Sequence, residues 1–235
     1  HQTVVDTFFE KAFHYRRHIL FGFLVLLAFS GAVGGYWWYR TRVAKLAHKA
    51  YAEAADLIKA RVMTPDETKG LFEVAFSSEE EKWQAVADAF KRVSDAYPHV
   101  GVGALAGIAR GQALLRVGKV ADARAAVEEA LPRIASVPLR SLYTQLLALL
   151  LLDSAVPADV DRGLVMLQQL IADSTSPIHD SALYHLGAYH WHKHDFAKAR
   201  DYWQQLLLQY DKEDISTPSE WVSLVKEKLA LIDHA

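Results

Sequence analysis

The sequence predicts an all-α protein: a single N-terminal transmembrane helix followed by helical hairpins stacked as an α-solenoid. Three observations lead there. The twenty-one residues from Ile19 to Tyr39 contain no charge. Beyond them apolar residues recur every three to four positions, and no segment alternates with period two over the length of a strand. Glycine and proline, 12 and 7 of 235 residues, are few, and proline falls mostly between the periodic segments. The predicted organisation is a tail over residues 1–18, a transmembrane helix over 19–39 and a helical domain over 40–235.

As a helix the uncharged run spans roughly 30 Å, the hydrocarbon thickness of a bilayer. Arg16 and Arg17 bound it on one side, and Arg40, Arg42 and Lys45 on the other; Tyr36, Trp37, Trp38 and Tyr39 stand where an interfacial aromatic belt would lie. A cleaved signal peptide would follow a shorter apolar core with small residues, not Tyr-Trp-Trp-Tyr. Lys11, Arg16 and Arg17 balance the three cations beyond the span, so charge alone leaves the orientation open. Gly31 and Gly35 form a GxxxG pair, a candidate packing face for a second membrane helix.

Val43–Val62 continues with helical spacing, and the membrane helix is free to run straight into it. Residues 63–78 break the period, with Thr64-Pro65-Asp66 resembling a helix entry. Ser77-Ser78 followed by Glu79-Glu80-Glu81 then reads as an N-cap with an acidic first turn. Helices are predicted from there to Tyr97 and over 101–117, 120–135, 139–153, 159–173, 178–193, 196–210 and 219–233. Gly118-Lys119, Pro138, Pro157, Ser176-Pro177, His194-Asp195 and Thr217-Pro218 separate them.

Asp180–Asp211 resembles a tetratricopeptide repeat. Leu183, Leu186 and Gly187 match its first helix, Asp195-Phe196 opens the second, and Ala199, Trp203 and Leu206 line the inner side. A second copy covers about Ala104–Ala135, with Gly111, Leu114, Gly118, Ala123 and Val127 at matching offsets. A degenerate third surrounds Gly163, Leu167 and Leu170. Small residues belong where paired helices approach closely, and Phe196 and Trp203 fill the wedge between hairpins. The helix around Trp221, Leu224 and Leu229 reads as a cap.

The order of parts carries a wider resemblance. The single span ending in Tyr-Trp-Trp-Tyr-Arg, an Ala-rich helix and then GALAGIARGQALLRVGKVADARAAVEEAL resemble the bacterial YfgM-like family, ancillary subunits of the SecYEG translocon. The resemblance implies an inner-membrane protein with a periplasmic repeat domain that assists polypeptides leaving the translocon, beside a periplasmic chaperone. The loop at 63–78 and the well-formed C-terminal repeat fit that pattern less closely. They keep open a structural subunit of another assembly, respiratory, secretory or motor.

Chemistry is sparsely signalled. The formal net charge of −2 gives no basic field for nucleic acid. With no cysteine there is no disulfide, thiolate metal site or lipidated Cys anchor. No GxSxG, phosphate loop or kinase signature occurs, so no catalytic residue and no cofactor is assigned. The glycines at 101, 103, 107 and 111 follow no strand and read as helix packing. His179, His185, His190, His192 and His194, with Asp180 and Asp195, form the one metal-like cluster. His190 and His194 share a helix face at the spacing of zinc helices. Without HExxH the favoured reading is packing and surface histidine, and no metal ligand is assigned. The remaining expectation is protein binding by first helices lining a groove, through Ser181, Tyr184, Ala188, Trp191 and His192 in one repeat and Leu105, Ile108, Gln112, Leu115 and Arg116 in another. From these, Tyr184, Trp191, His192, Gln112 and Arg116 are the predicted partner-binding set. Tyr184 and Trp191 packing against a neighbouring helix is the competing reading.

Overall fold

The structure, a computed structural model, describes residues 16–62, 75–212 and 219–233. Lys11, the predicted helix entry at 64–66 and the Thr217-Pro218 separator lie outside them. The chain divides into two compact units, residues 1–49 and 50–235.

Helix α1, Arg16–Asp56, begins in the first unit and runs 41 residues without interruption. The predicted membrane helix and the helix starting at Val43 are therefore one element. It is about 60 Å long, some twice the thickness of a bilayer's hydrocarbon layer. Residues 20–42 are exposed along its whole circumference, and it is long and apolar enough to cross a membrane. The Arg42 guanidinium lies 5.3 Å from the centre of the Trp38 ring, and the Thr41 hydroxyl donates to the Trp37 carbonyl at 2.9 Å. An added Cβ at Gly31 or Gly35 would meet nothing within 4 Å.

In the second unit α1 closes in a 3₁₀ turn, Leu57–Lys59. Eight helices follow among the described residues: α2 Glu79–Ala96, α3 Gly101–Arg116, α4 Val120–Ala130, α5 Val137–Leu152, α6 Pro157–Ala172, α7 His179–His192, α8 Phe196–Tyr210 and α9 Trp221–Asp233. Ser78 caps α2 by accepting from the Glu81 N–H, while the Glu81 carboxylate accepts from the N–H of Ser77, the residue before the cap, at 3.0 Å. Two details depart from the sequence reading. Pro138 and Pro157 do not separate helices but lie in the first turns of α5 and α6, where the missing N–H has no intrahelical partner to lose. Pro132 instead ends α4 early, and the chain leaves through a 3₁₀ turn over Leu131–Arg133. A strand element also occurs where none was expected: Arg61–Val62 pairs in parallel with Ala75–Phe76. Two residues per strand are too few to show a period.

Each helix from α2 onward packs on its successor, and turns of three or four residues make α3–α4, α5–α6 and α7–α8 hairpins. Side-chain bonds then link α2 to the two ends of α4, α4 to α6, α5 to α7, and α7 to the entry of α9. Lys119 reaches Gln84, Arg133 reaches Ser94, Arg162 reaches Glu128, Gln145 reaches Ser181 and Ser219 reaches Asp180, over separations of 34 to 39 residues. Arg124 pairs with Asp159 in the same way. Glycine marks the tightest crossings. A Cβ would lie 2.7 Å from Val127 at Gly111, 2.8 Å from the Ala148 carbonyl at Gly163, and 2.2 Å from the Trp203 indole nitrogen at Gly187. The core is four successive clusters, centred on Phe90, on Ile108 with Leu151, on Leu167 with Leu186, and on Trp203 with Leu206.

Candidate interaction surface

On α3 burial covers every side but one. Ala104, Ala106, Ile108, Ala113 and Leu114 are core, while Leu105, Ala109, Gln112 and Arg116, spaced four, three and four apart, form the open stripe. At its C-terminal end the stripe borders a recess of about 400 Å³, lined by Ile58, Trp83, Phe90, Gln112 and Arg116 among others. The Arg116 guanidinium stands 5.5 Å from the Trp83 ring centre.

Helix α5 carries the larger apolar face. Gln145, Leu147, Ala148 and Leu151 are buried. Leu139, Leu142, Tyr143, Leu146, Leu149 and Leu150 fall within a narrow arc on the other side; Leu139 and Leu142 are exposed and the others half-buried. Leu105 of α3 packs on the same core cluster as Tyr143 and Leu146, so the two stripes adjoin. Burial, and after it the neighbouring Tyr143 hydroxyl, push the Tyr51 phenol up, and its ring packs on Phe90, centroids 5.2 Å apart.

The predicted partner-binding residues divide. Gln112 and Arg116 are exposed beside the recess, and His192 is exposed with its ring edge-on to Trp191, centroids 5.1 Å apart. Tyr184 stacks on Trp221 of α9 at 4.2 Å, and Trp191 packs in the C-terminal cluster with the Lys228 ammonium 4.1 Å over its ring. The competing packing reading holds for both. Ile108 and Ser181 are buried, contrary to their assignment to the groove: Ile108 is core, and Ser181 accepts from the Gln145 side chain at 2.8 Å. The α5 stripe went unassigned. Its signal, apolar residues at 139, 142, 146 and 149, is masked because the rest of α5 is equally apolar.

The histidines are dispersed in role. His179 is buried with both ring nitrogens engaged, one at 3.1 Å from the Ile171 carbonyl and the other at 3.0 Å from the Tyr210 hydroxyl. His190 stacks on Tyr202, with its Nδ1 3.5 Å from the Asp195 carboxylate. His194 takes φ of 59° at the turn into α8. Among the described residues no three metal-ligating side chains converge.

Burial pushes the His185 imidazole below its ordinary value, and does the same at His190 against the opposing pull of Asp195. The unfolded chain then takes up these protons first, so their contribution is intact above about pH 6.5 and is lost as pH falls through the folded-state values. The melting temperature should decline between about pH 7 and 5, before most carboxylates titrate, and His185→Phe should flatten the decline. A flat wild-type profile would mean that both rings are hydrated.

Charge is sorted by helix. Residues 96–121 and 130–152, which contain α3 and α5, hold no Asp or Glu. Asp122, Glu128, Glu129, Asp159 and Asp161 lie on α4 and α6; Arg124 and Arg162 of those helices pair with Asp159 and Glu128, and Arg133, in the turn after α4, pairs with Glu129. No protein-family model matches the chain, and no curated protein shows significant similarity to it.

Proposed function

We propose that the chain is a non-enzymatic protein-interaction module anchored in a bacterial inner membrane. In this reading its hairpins form a tetratricopeptide-type solenoid, and α3, α5 and α7 line the binding face. The observation that carries it is the apolar stripe on α5 beside the open stripe of α3, since contiguous apolar surface on an ordered scaffold serves a partner. The resemblance to YfgM-like proteins makes the translocon and periplasmic chaperones the first partners to seek. The test is purification of the full chain in mild detergent, as wild type, as Leu142→Asp and as His192→Gln. Translocon or chaperone subunits should accompany the wild type and His192→Gln but not Leu142→Asp. Equal recovery with all three would remove the face from the interaction. A different stoichiometric complex would assign the chain to that assembly.

The same reading puts the domain at residues 40–235 in the periplasm. Alkaline phosphatase fused after Ala235 should be active in cells, and activity of a cytoplasmic reporter at that position would reverse the topology.

A further inference from the structure

Where α1 leaves the uncharged run, its surface becomes one-sided. Tyr36, Trp37, Trp38 and Tyr39 are consecutive, so at about 100° per residue they ring the helix, and all four are 62 to 72 % exposed. Such amphipathic rings settle at headgroup level, and a girdle on every side fixes the depth of this end of the span. The cations that follow do not ring the helix. Trp38, Arg42 and Lys45, spaced four and three apart, fall within an arc of about 60°, and Lys49 prolongs the line, while Arg40 stands opposite. Residues 11–52 contain no Asp or Glu. Arg42 and Lys45 are exposed, and among the described residues neither has a hydrogen bond or ion pair. The Arg42 guanidinium instead lies back over the Trp38 ring, 5.3 Å from its centre, which leaves its in-plane N–H groups without an acceptor. Arg42 is about 4.5 Å and Lys45 about 9 Å beyond Tyr39 along the axis, and the headgroup layer is about 5–7 Å deep. Helical side chains lean toward the N-terminus, here toward the span, so both charged heads reach that layer.

We propose that Arg42 and Lys45 hold the phosphate of an anionic phospholipid lying along Trp38, so that the exit of α1 is a lipid-binding site as well as an anchor. This rests on the membrane-anchored reading above and holds for either leaflet. The guanidinium fork matches two phosphate oxygens, and the ammonium adds a point charge beside it. A zwitterionic lipid carries the same phosphate with a cation of its own, which the two side chains repel, so the net anionic headgroup is preferred. An acidic protein could meet a cationic stripe at any height above a membrane. The girdle immediately beneath this one sets it at the depth of lipid phosphate, and that selects the lipid.

The chain has no cysteine, so Thr41→Cys takes a single fluorophore beside the site. The labelled full chain is reconstituted in phosphatidylcholine vesicles, and quenching is measured with phosphatidylglycerol or phosphatidylcholine carrying a nitroxide high on the acyl chain. Phosphatidylglycerol should quench at concentrations at least about threefold lower than phosphatidylcholine, with the preference shrinking as salt rises. Arg42→Gln with Lys45→Gln should make the two lipids equal, and the exchange Arg42→Lys with Lys45→Arg should keep most of the preference. Arg16→Gln with Arg17→Gln, at the other end of the span, should leave it unchanged. Equal quenching by the two lipids in the wild type would overturn the proposal, as would a preference that survives Arg42→Gln with Lys45→Gln. Soluble glycerophosphate at matched ionic strength should have no effect. If it removed the preference, the ligand would be a free phosphate and the lipid assignment would fall. A photo-crosslinker replacing Leu46 that captured a protein in cells, and no lipid, would likewise overturn it. Flotation separates this inference from the reading beneath it. A chain that floats with vesicles but shows no preference loses the lipid site and keeps the anchor, whereas a chain that floats with no vesicle loses both.

Discussion

Trp203→Ala should lower the unfolding free energy of the helical unit by about 3–5 kcal/mol, the range for deleting a large buried aromatic. Trp203 is fully buried, and its indole N–H donates to the Tyr184 carbonyl at 3.1 Å. Leu183, Ala199, Leu206 and Val225 share its cluster, so the ring ties α7, α8 and α9 together. Truncation removes the contacts, opens a cavity between three helices and frees a carbonyl that its helix uses no differently otherwise. Gly187 sharpens the expectation, because a side chain there would overlap the indole. Neighbouring groups have therefore settled around this ring and are poorly placed to collapse into its absence. Chemical denaturation of the wild type and variant measures the difference. A change below about 1 kcal/mol would mean that the ring is not the keystone of the C-terminal hairpin.

Gly103→Ala should be nearly as damaging for the addition of one methyl group. The added Cβ would fall 2.0 Å from the Tyr97 carbonyl oxygen and 2.8 Å from its carbon, atoms of the backbone that rotamer changes cannot move. The α2–α3 turn is held by the Val100 N–H donating to the Tyr97 carbonyl at 3.2 Å and the Gly103 N–H donating to the Val100 carbonyl at 2.8 Å. Relief requires opening this turn or shifting α3 along α2, and overpacking without relief costs about 1–3 kcal/mol or more. We expect the upper end. Gly101→Ala supplies the control, since a Cβ there meets nothing within 4 Å. If the two variants melted together, helix propensity and not the close approach would be what these glycines answer to.

Helix existence was legible because apolar spacing and capping act locally. Ser78 with Glu81, and Gly118 with its φ of 73°, speak through their own turns. The prolines at 138 and 157 were misread because the same residue stops a helix from inside and opens one from its first turn, and the sequence order looks alike in both. The face was legible only in part. Gln112 and Arg116 stand out as polar residues on an apolar helix, whereas α5 offers leucine to every side. Which leucines meet Ile108 and which meet solvent depends on where the neighbouring helices sit. Tyr184 and Trp191 depend on something more distant still, the position of Trp221 and Lys228 on α9. Ser181 was placed on the open side by its spacing, and only its bond with Gln145 shows the neighbouring helix covering it.

The ladder of bonds spanning 34 to 39 residues has a consequence for how the chain comes together and apart. The segment enclosed by each bond is about one hairpin long, so closing it costs little more entropy than closing the one before. If the hairpins stack as proposed, assembly should proceed by accretion, each hairpin finding its binding site on the one already made. Disassembly runs the other way. Fraying should begin at α9, whose loss leaves Trp221 off Tyr184 and exposes the flank of α7, while the α2–α4 end keeps all of its own bonds. Helix α9 is therefore the part that a protease or a pulling force should reach first.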